Sequence, residues 1–227
     1  MSDGLLYRHW NSWRNGKRNH IFTVEVSTGK LNDLTPGEYD APAIQLRGAT
    51  SYAFSPDGKE LCYVSNHDYN PAFSTNNDLW VVKVSGGNAE NITASNPAYD
   101  GGPKYSPNGS YIAYRVQKMP GYEADLFRLA LYDRKTGKSK VLTETFDYNV
   151  NHFHWSPNSR YVYFTASVMG YTPLYRLEIE TQKVTPVLEK RNIDDFTLSP
   201  LGDFLVFVQR SMDKPQEIYK EIGRAHV

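Results

Sequence analysis

The chain has 227 residues, 25 Lys and Arg against 25 Asp and Glu, and a formal net charge of zero. With no run of like charge, it lacks the basic patch of a nucleic-acid binder or a membrane-surface protein. No stretch approaches the roughly 20 apolar residues of a membrane-spanning helix, and the single Cys62 permits no internal disulfide.

In chain order, Asp3-Gly4-Leu5-Leu6-Tyr7-Arg8-His9-Trp10 opens at once on strand-like and aromatic residues. It shows no signal-peptide pattern, and the front end reads as clipped. His20–Val26, the turn Ser27-Thr28-Gly29-Lys30 and Leu31–Thr35 then make a worn two-strand unit. A tight turn follows and recurs: Ser55-Pro56-Asp57-Gly58, Ser106-Pro107-Asn108-Gly109, Ser156-Pro157-Asn158-Ser159 and Ser199-Pro200-Leu201-Gly202. Its copies stand 51, 50 and 43 residues apart. Ser suits the first position of a type I turn, Pro pre-sets φ at the second, and Gly is favoured at the fourth.

Each turn is framed by the same pattern. Phe54, Tyr105, Trp155 and Leu198 precede it, and Leu61, Ile112, Val162 and Leu205 stand six residues after each Ser. Tyr63, Tyr114, Phe164 and Phe207 stand eight after. These second strands are apolar on both faces, as strands packed between sheets must be. Third strands follow at Leu79–Val82, Leu126–Leu129, Leu174–Leu177 and Ile218-Tyr219, and outer strands at Ala89–Thr93, Lys140–Thr143 and Val184–Leu188.

Four short strands per repeat of roughly 40–50 residues describe a β-propeller blade of the WD40-like type. The expected fold is therefore all-β, an incomplete propeller over 1–221, of about four to five blades. Complete blades fall at about 49–93, 100–143 and 150–188, and partial ones at about 4–37 and 194–220. The tail Ile222-Gly223-Arg224-Ala225-His226-Val227 breaks the pattern and matches the translation of a common sequencing adapter. It is expected to be a scar outside the fold.

Candidate sites lie at the strand starts and in two loops. Asp100, Asn151, Asp194 and Asp195 begin inner strands, where a carboxylate could face the propeller channel or cap a turn. Adjacent Asp194 and Asp195 are expected on opposite faces, which does not make the paired carboxylates of a glycosidase. The loops Asn66–Asn77 (with His67, Tyr69 and Phe73) and Gln117–Ala124 (with Met119, Tyr122 and Glu123) are longer than their blades need. Both join a second to a third strand, so they should emerge on one face, and long loops with aromatics often carry contacts. His152 and His154, two apart on a strand, share a face but lack the further ligands of a zinc site. No metal and no cofactor are expected.

The turn series resembles the repeats of TolB-type propellers and of the prolyl oligopeptidase family. The segment from Asp3 to Trp13, with Asn15-Gly16-Lys17 and His20-Ile21-Phe22, is similar to bacterial S9 serine peptidases of the acylaminoacyl-peptidase and dipeptidyl-peptidase V type. That resemblance implies a propeller of about seven blades that caps a C-terminal α/β-hydrolase domain and gates a peptide substrate. There a Ser on a Gly-x-Ser-x-Gly elbow attacks, a His acts as base and an Asp orients it. This chain holds no such elbow, so no catalytic residue is assigned to it. The alternative is a non-enzymatic TolB-like interaction propeller. The resemblance leaves location open between periplasm and cytoplasm.

Overall fold

The structure is a computed structural model that describes residues 8–9, 12–13, 16–43 and 51–222. Most of the Asp3–Trp13 segment and the tail from Gly223 lie outside the described residues. The chain is all-β, with one short 3₁₀ turn at Pro71–Phe73 among the described residues. Short β1 (Arg8–His9) pairs with β2 (Ser12–Trp13), and β3 (Phe22–Val24) with β4 (Leu31–Asp33). Next come β5 (Tyr52–Phe54), β6 (Glu60–Ser65), β7 (Asp78–Lys83) and β8 (Glu90–Asn91), antiparallel in that order. A second four-stranded blade holds β9 (Asp100–Tyr105), β10 (Tyr111–Val116), β11 (Arg128–Asp133) and β12 (Lys138–Val141). A third holds β13 (Val150–Trp155), β14 (Tyr161–Ala166), β15 (Leu174–Glu178) and β16 (Val184–Leu188). The last sheet has β17 (Ile193–Leu198), β18 (Phe204–Gln209) and β19 (Glu217–Ile222). Two compact units result, residues 1–105 with 114–125, and residues 106–113 with 126–227.

The repeated turn works through its serine hydroxyl. Ser55 Oγ accepts the Glu60 N–H at 3.0 Å and donates to Asp57 Oδ1 at 2.6 Å. Ser106 does the same with Tyr111 and Asn108, and Ser156 with Tyr161 and Asn158. In the fourth copy Leu201 has no oxygen to offer, so Ser199 Oγ turns to Asp203 instead. All four serines are buried. The fourth turn residue takes positive φ in each copy: Gly58, Gly109 and Gly202 at 68°, 71° and 74°, and Ser159 at 60°. The turn sets the register, so the residue before Ser faces the residue six after it: Phe54 with Leu61, Trp155 with Val162, Leu198 with Leu205.

A second repeated device closes the other edge of the blade. Thr35, Thr93 and Thr143 each accept, through Oγ1, the N–H of the residue fourteen earlier: Ile21, Leu79 and Leu129, all at 2.9 Å. Leu34, Ile92 and Leu142, one before each Thr, donate back to the carbonyl of that same residue. This clamp ends two outer strands earlier than expected: β8 is cut to Glu90–Asn91, and β12 keeps its length but lies two residues earlier and ends at Val141, because the Leu/Ile-Thr pair leaves the edge to close the clamp. The third strand expected from Leu126 begins at Arg128. Strand character continues to Ile222, which pairs with Phe204, one residue into the segment set apart as a scar.

The clamp also delivers core residues. Leu34 packs with Ala41, Leu61, Tyr63 and Val82 in the first unit. In the second, Leu142 joins Val150, Trp155, Val162 and Phe164, while Tyr163, on the opposite face of β14, joins Leu174, Ile193, Leu205 and Phe207. β14 is thus buried on both faces, and Cys62 in β6 is likewise fully buried.

The buried serine hydroxyl gives a direct test. Ser106→Ala leaves the Tyr111 N–H without its partner and is expected to cost roughly 1–3 kcal/mol. Ser159→Gly relieves a non-glycine at positive φ but loses the bond from Asn108 N–H to Ser159 Oγ at 3.1 Å, so its net effect is expected within about 1 kcal/mol. Denaturant unfolding of both variants reads the difference, and a harmless Ser106→Ala would remove the serine turn bond from the account of stability.

Candidate functional site

In every blade the topology puts the second-to-third-strand loop at the same end as the start of the first strand. The two long loops of the first unit meet there. Between β6 and β7, the Ser74 hydroxyl is a hub: it donates to Asp68, accepts the Asn76 N–H at 2.9 Å, and receives Asn66 Nδ2 at 3.4 Å. Asp68 also accepts from Asn76 Nδ2 at 3.1 Å. His67 lies flat between Tyr39 and Trp80, with ring centroids 3.7 and 4.0 Å away. Burial holds its imidazole below the ordinary histidine value. The loop is therefore pinned from inside by polar bonds and an aromatic stack.

The loop between β10 and β11 is pinned in another way. Gln117 is buried and its Nε2 donates to the carbonyls of Glu123 and Asp125 at 3.1 and 2.7 Å. The Asp125 carboxylate accepts the N–H groups of Lys118 and Met119 at 2.6 and 2.9 Å. The Gly121 N–H then donates to Thr75 Oγ1 at 2.9 Å, which joins the two loops. Tyr69, Phe73, Met119 and Tyr122 stand exposed on this joined surface, with Glu123 beside them. The expectation of one face is met for these loops.

Beneath them sits Asp100, which is 0 % exposed. Asn96 Nδ2 lies 3.2 Å from both of its oxygens and 3.1 Å from the Gln117 carbonyl, so one amide ties the carboxyl to the foot of the second loop. Asp78 is buried nearby and accepts from Thr93 Oγ1 at 3.2 Å. Burial, aided by the Asp78 charge and opposed by the bonds from Asn96 and Thr93, pushes the Asp100 carboxyl up to about 8. Asp100 is therefore a neutral acid at pH 7, and it does not present a charge to solvent.

No protein-family model matches the chain. Dipeptidyl-peptidase 5 of Porphyromonas gingivalis is 32 % identical to it over 222 residues, covering 95 % of this chain and 32 % of the relative. The same enzyme of Porphyromonas endodontalis matches with the same figures. The chain thus spans about a third of the length of these curated relatives. The solved acylaminoacyl peptidase of Pyrococcus horikoshii superposes with a TM-score of 0.71 at 16 % identity, over 97 % of this chain and 32 % of that one. TolB of Acinetobacter baumannii gives 0.61 at 18 %, over 89 % and 46 %. This chain is a β-propeller, similar to part of these S9 peptidases.

Within the propeller the other strand-start residues have separate fates. Asn151 is half-buried and donates to Ser167 Oγ at 3.2 Å. Asp194 pairs with Arg210 at 3.1 Å and accepts from Gln216 at 2.8 Å. The register of β17 shifts between Ile193 and Asp195, so Asp195 is exposed although it stands two residues from buried Ile193. It accepts the Phe196 N–H, and the two carboxylates share no partner. His152 is exposed while His154 meets Phe196 edge-on, and no group of three or more potential metal ligands occurs among the described residues. No helix among them is long and apolar enough to cross a membrane. Sequence reasoning missed Gln117, Asp125, Asp78 and the Tyr39–His67–Trp80 stack. The Leu/Ile-Thr pairs, recurring fourteen residues after an aliphatic strand residue, were a visible signal for the clamp.

The raised Asp100 carboxyl has a definite pH consequence. The folded chain keeps a proton that the unfolded chain releases above about pH 4, so stability falls as pH rises toward 8 and then levels. Asp100→Asn carries no such proton. Its stability relative to the parent is expected to improve by on the order of a few kcal/mol between pH 4 and 8. Urea midpoints across that range check this, and a difference that does not change with pH would show Asp100 to be unshifted.

Proposed function

We propose that this S9 propeller is the substrate-gating and docking portion of a serine peptidase that cleaves peptides or oligopeptides, with a C-terminal α/β-hydrolase domain as its partner. The likeness to dipeptidyl-peptidase 5 along 95 % of the chain carries this reading. The division of labour fits the residues present. This chain has no Gly-x-Ser-x-Gly elbow, so nucleophile, base and orienting acid belong to the partner domain. The propeller contributes a rigid frame and the surfaces that sort what reaches them.

The joined loops are the proposed substrate-facing surface. Tyr69, Phe73 and Tyr122 offer exposed rings to apolar side chains of a peptide, and Glu123 offers a carboxylate to a cationic group. Because both loops are pinned internally, little conformational entropy is lost when a peptide settles on them. Asn151 and Asp194 belong to the same end of their own blades and supply polar contacts there. Asp100 acts indirectly, holding the loop foot through Asn96.

Expression of the open reading frame at its natural full length tests the reading. The full-length protein is expected to be labelled by a fluorophosphonate and to release dipeptides from peptide substrates, while this chain alone is not labelled. A full-length protein that resists labelling overturns the peptidase reading in favour of an interaction propeller. Replacing Tyr69 and Phe73 together by Ala is expected to lower kcat/KM several-fold for long peptides and to leave a small dipeptidyl reporter within about twofold. Equal effects on both substrates would place the aromatic loop outside the substrate path.

A further inference from the structure

Three of the four methionines recur with the repeat. Met119, Met169 and Met212 each stand thirteen residues after their blade's turn serine, Ser106, Ser156 and Ser199. In the blade of Ser55 that position is Asp68, the acid that organises its loop. Each methionine lies in the second-to-third-strand loop of its blade. Met119 is 54 % exposed, and Met169 and Met212 at least 88 %. A core methionine would be buried for packing, so these three are not core residues.

In each case the backbone is held while the side chain is free. The Met119 N–H is bound by the Asp125 carboxylate. Met169 and Gly170 take φ of 48° and 83°, the paired positive values of a primed two-residue hairpin, between reciprocal Val168–Tyr171 bonds of 2.9 Å. Asn or Gly is the residue such a turn favours, and a long thioether stands there instead. Met212 lies in a loop tied by the Ser211 N–H to the Lys214 carbonyl at 3.3 Å and by Ser211 Oγ to Asp213 at 2.6 Å. The other sulfur among the described residues, Cys62, is 0 % exposed and shielded from solvent oxidants.

We infer that Met119, Met169 and Met212 are reversible oxidation sites, and that peroxide acts on this protein at these loop tips without disturbing its core. The thioether sulfur attacks one oxygen of hydrogen peroxide. The S–O bond forms as the O–O bond breaks, and the other oxygen leaves as water after proton transfer. Sulfur loses two electrons and peroxide gains them. Each loop tip then changes from an apolar, flexible side chain to a polar sulfoxide. Methionine sulfoxide reductases, which need an exposed substrate, reverse the step.

The natural full-length protein, kept native in hydrogen peroxide, is read by peptide-mapping mass spectrometry against free methionine in the same solution. Each of the three sites is expected to gain one oxygen at a rate within about fivefold of free methionine, with Cys62 unmodified and Tm unchanged. Reductase treatment is expected to remove all three oxygens. Slower reaction at any of the three, early modification of Cys62, or a Tm that falls with oxygen uptake would each overturn the inference. The variant Met119→Leu/Met169→Leu/Met212→Leu keeps the apolar bulk and is expected to take up no oxygen at these positions under the same treatment. A total oxygen uptake by this chain equal to that of the parent would also overturn it.

Discussion

The whole architecture depends on one hydroxyl used four times. A buried serine Oγ, placed at the start of each tight turn, takes the N–H of the residue that opens the next strand and gives its own proton to a nearby Asx oxygen. Both ends of the turn are thereby fixed to a single atom, and the hairpin register follows. A slip of one residue would turn every side chain of the second strand to the wrong face. That strand is buried on both faces in β6 and β14, so the cost of a slip is the loss of two cores rather than one. The fourth copy shows that the hydroxyl, and not the sequence around it, is the constraint: Leu201 removes the usual acceptor, and Asp203 replaces it from the far side of the turn.

The threonine clamp extends the same logic to the third and fourth strands. With the inner hairpin fixed by serine and the outer edge fixed by threonine, both near one end of the chain path or the other, the remaining connection is left free to vary. This is the second-to-third-strand loop. Its lengths differ from blade to blade, and its contents range from a 3₁₀ turn at Pro71–Phe73 to a two-residue hairpin at Met169-Gly170. Surface loops tolerate such variation because their closure entropy grows slowly with length. Rigidity in the blade and variety in the loop are consequences of where the hydroxyl bonds were placed, and they explain why the candidate site is built from Tyr69, Phe73 and Tyr122 rather than from strand residues.

The blades were legible because their determinants are local. Ser-Pro-Asx-Gly, the aromatic position eight residues on and the second strands apolar on both faces each report a short-range geometry. The outer strands were read less well. Ala89–Thr93 looks like a continuous strand, yet Thr93 leaves the ladder to bind the Leu79 N–H fourteen residues earlier. Nothing within the five residues announces that partner. The site was legible only in outline. Two long loops at one end followed from topology, but the bond that joins them runs between Gly121 and Thr75, 46 residues apart. The burial of Asp100 depends equally on Asn96, Asp78 and Thr93, which converge only in the folded sheet.

Asp100 and Asp194 make that last point sharper. Both begin an inner strand, where the sequence left open a carboxylate that faces the channel or one that caps a turn. Asp100 is enclosed with a second carboxyl and a neutral amide, so its proton is retained. Asp194 is half-buried and meets the Arg210 guanidinium at 3.1 Å. Asp100 stands six residues before Ser106 and Asp194 five before Ser199, so the two hold neighbouring places in the repeat and differ in chemistry. The repeat fixes where a side chain stands, while residues that are not part of the repeat decide whether it is charged. In such a propeller this separation lets the frame stay constant while the loop surface is rewritten, one loop at a time, without touching a serine or a threonine that holds the blades in register.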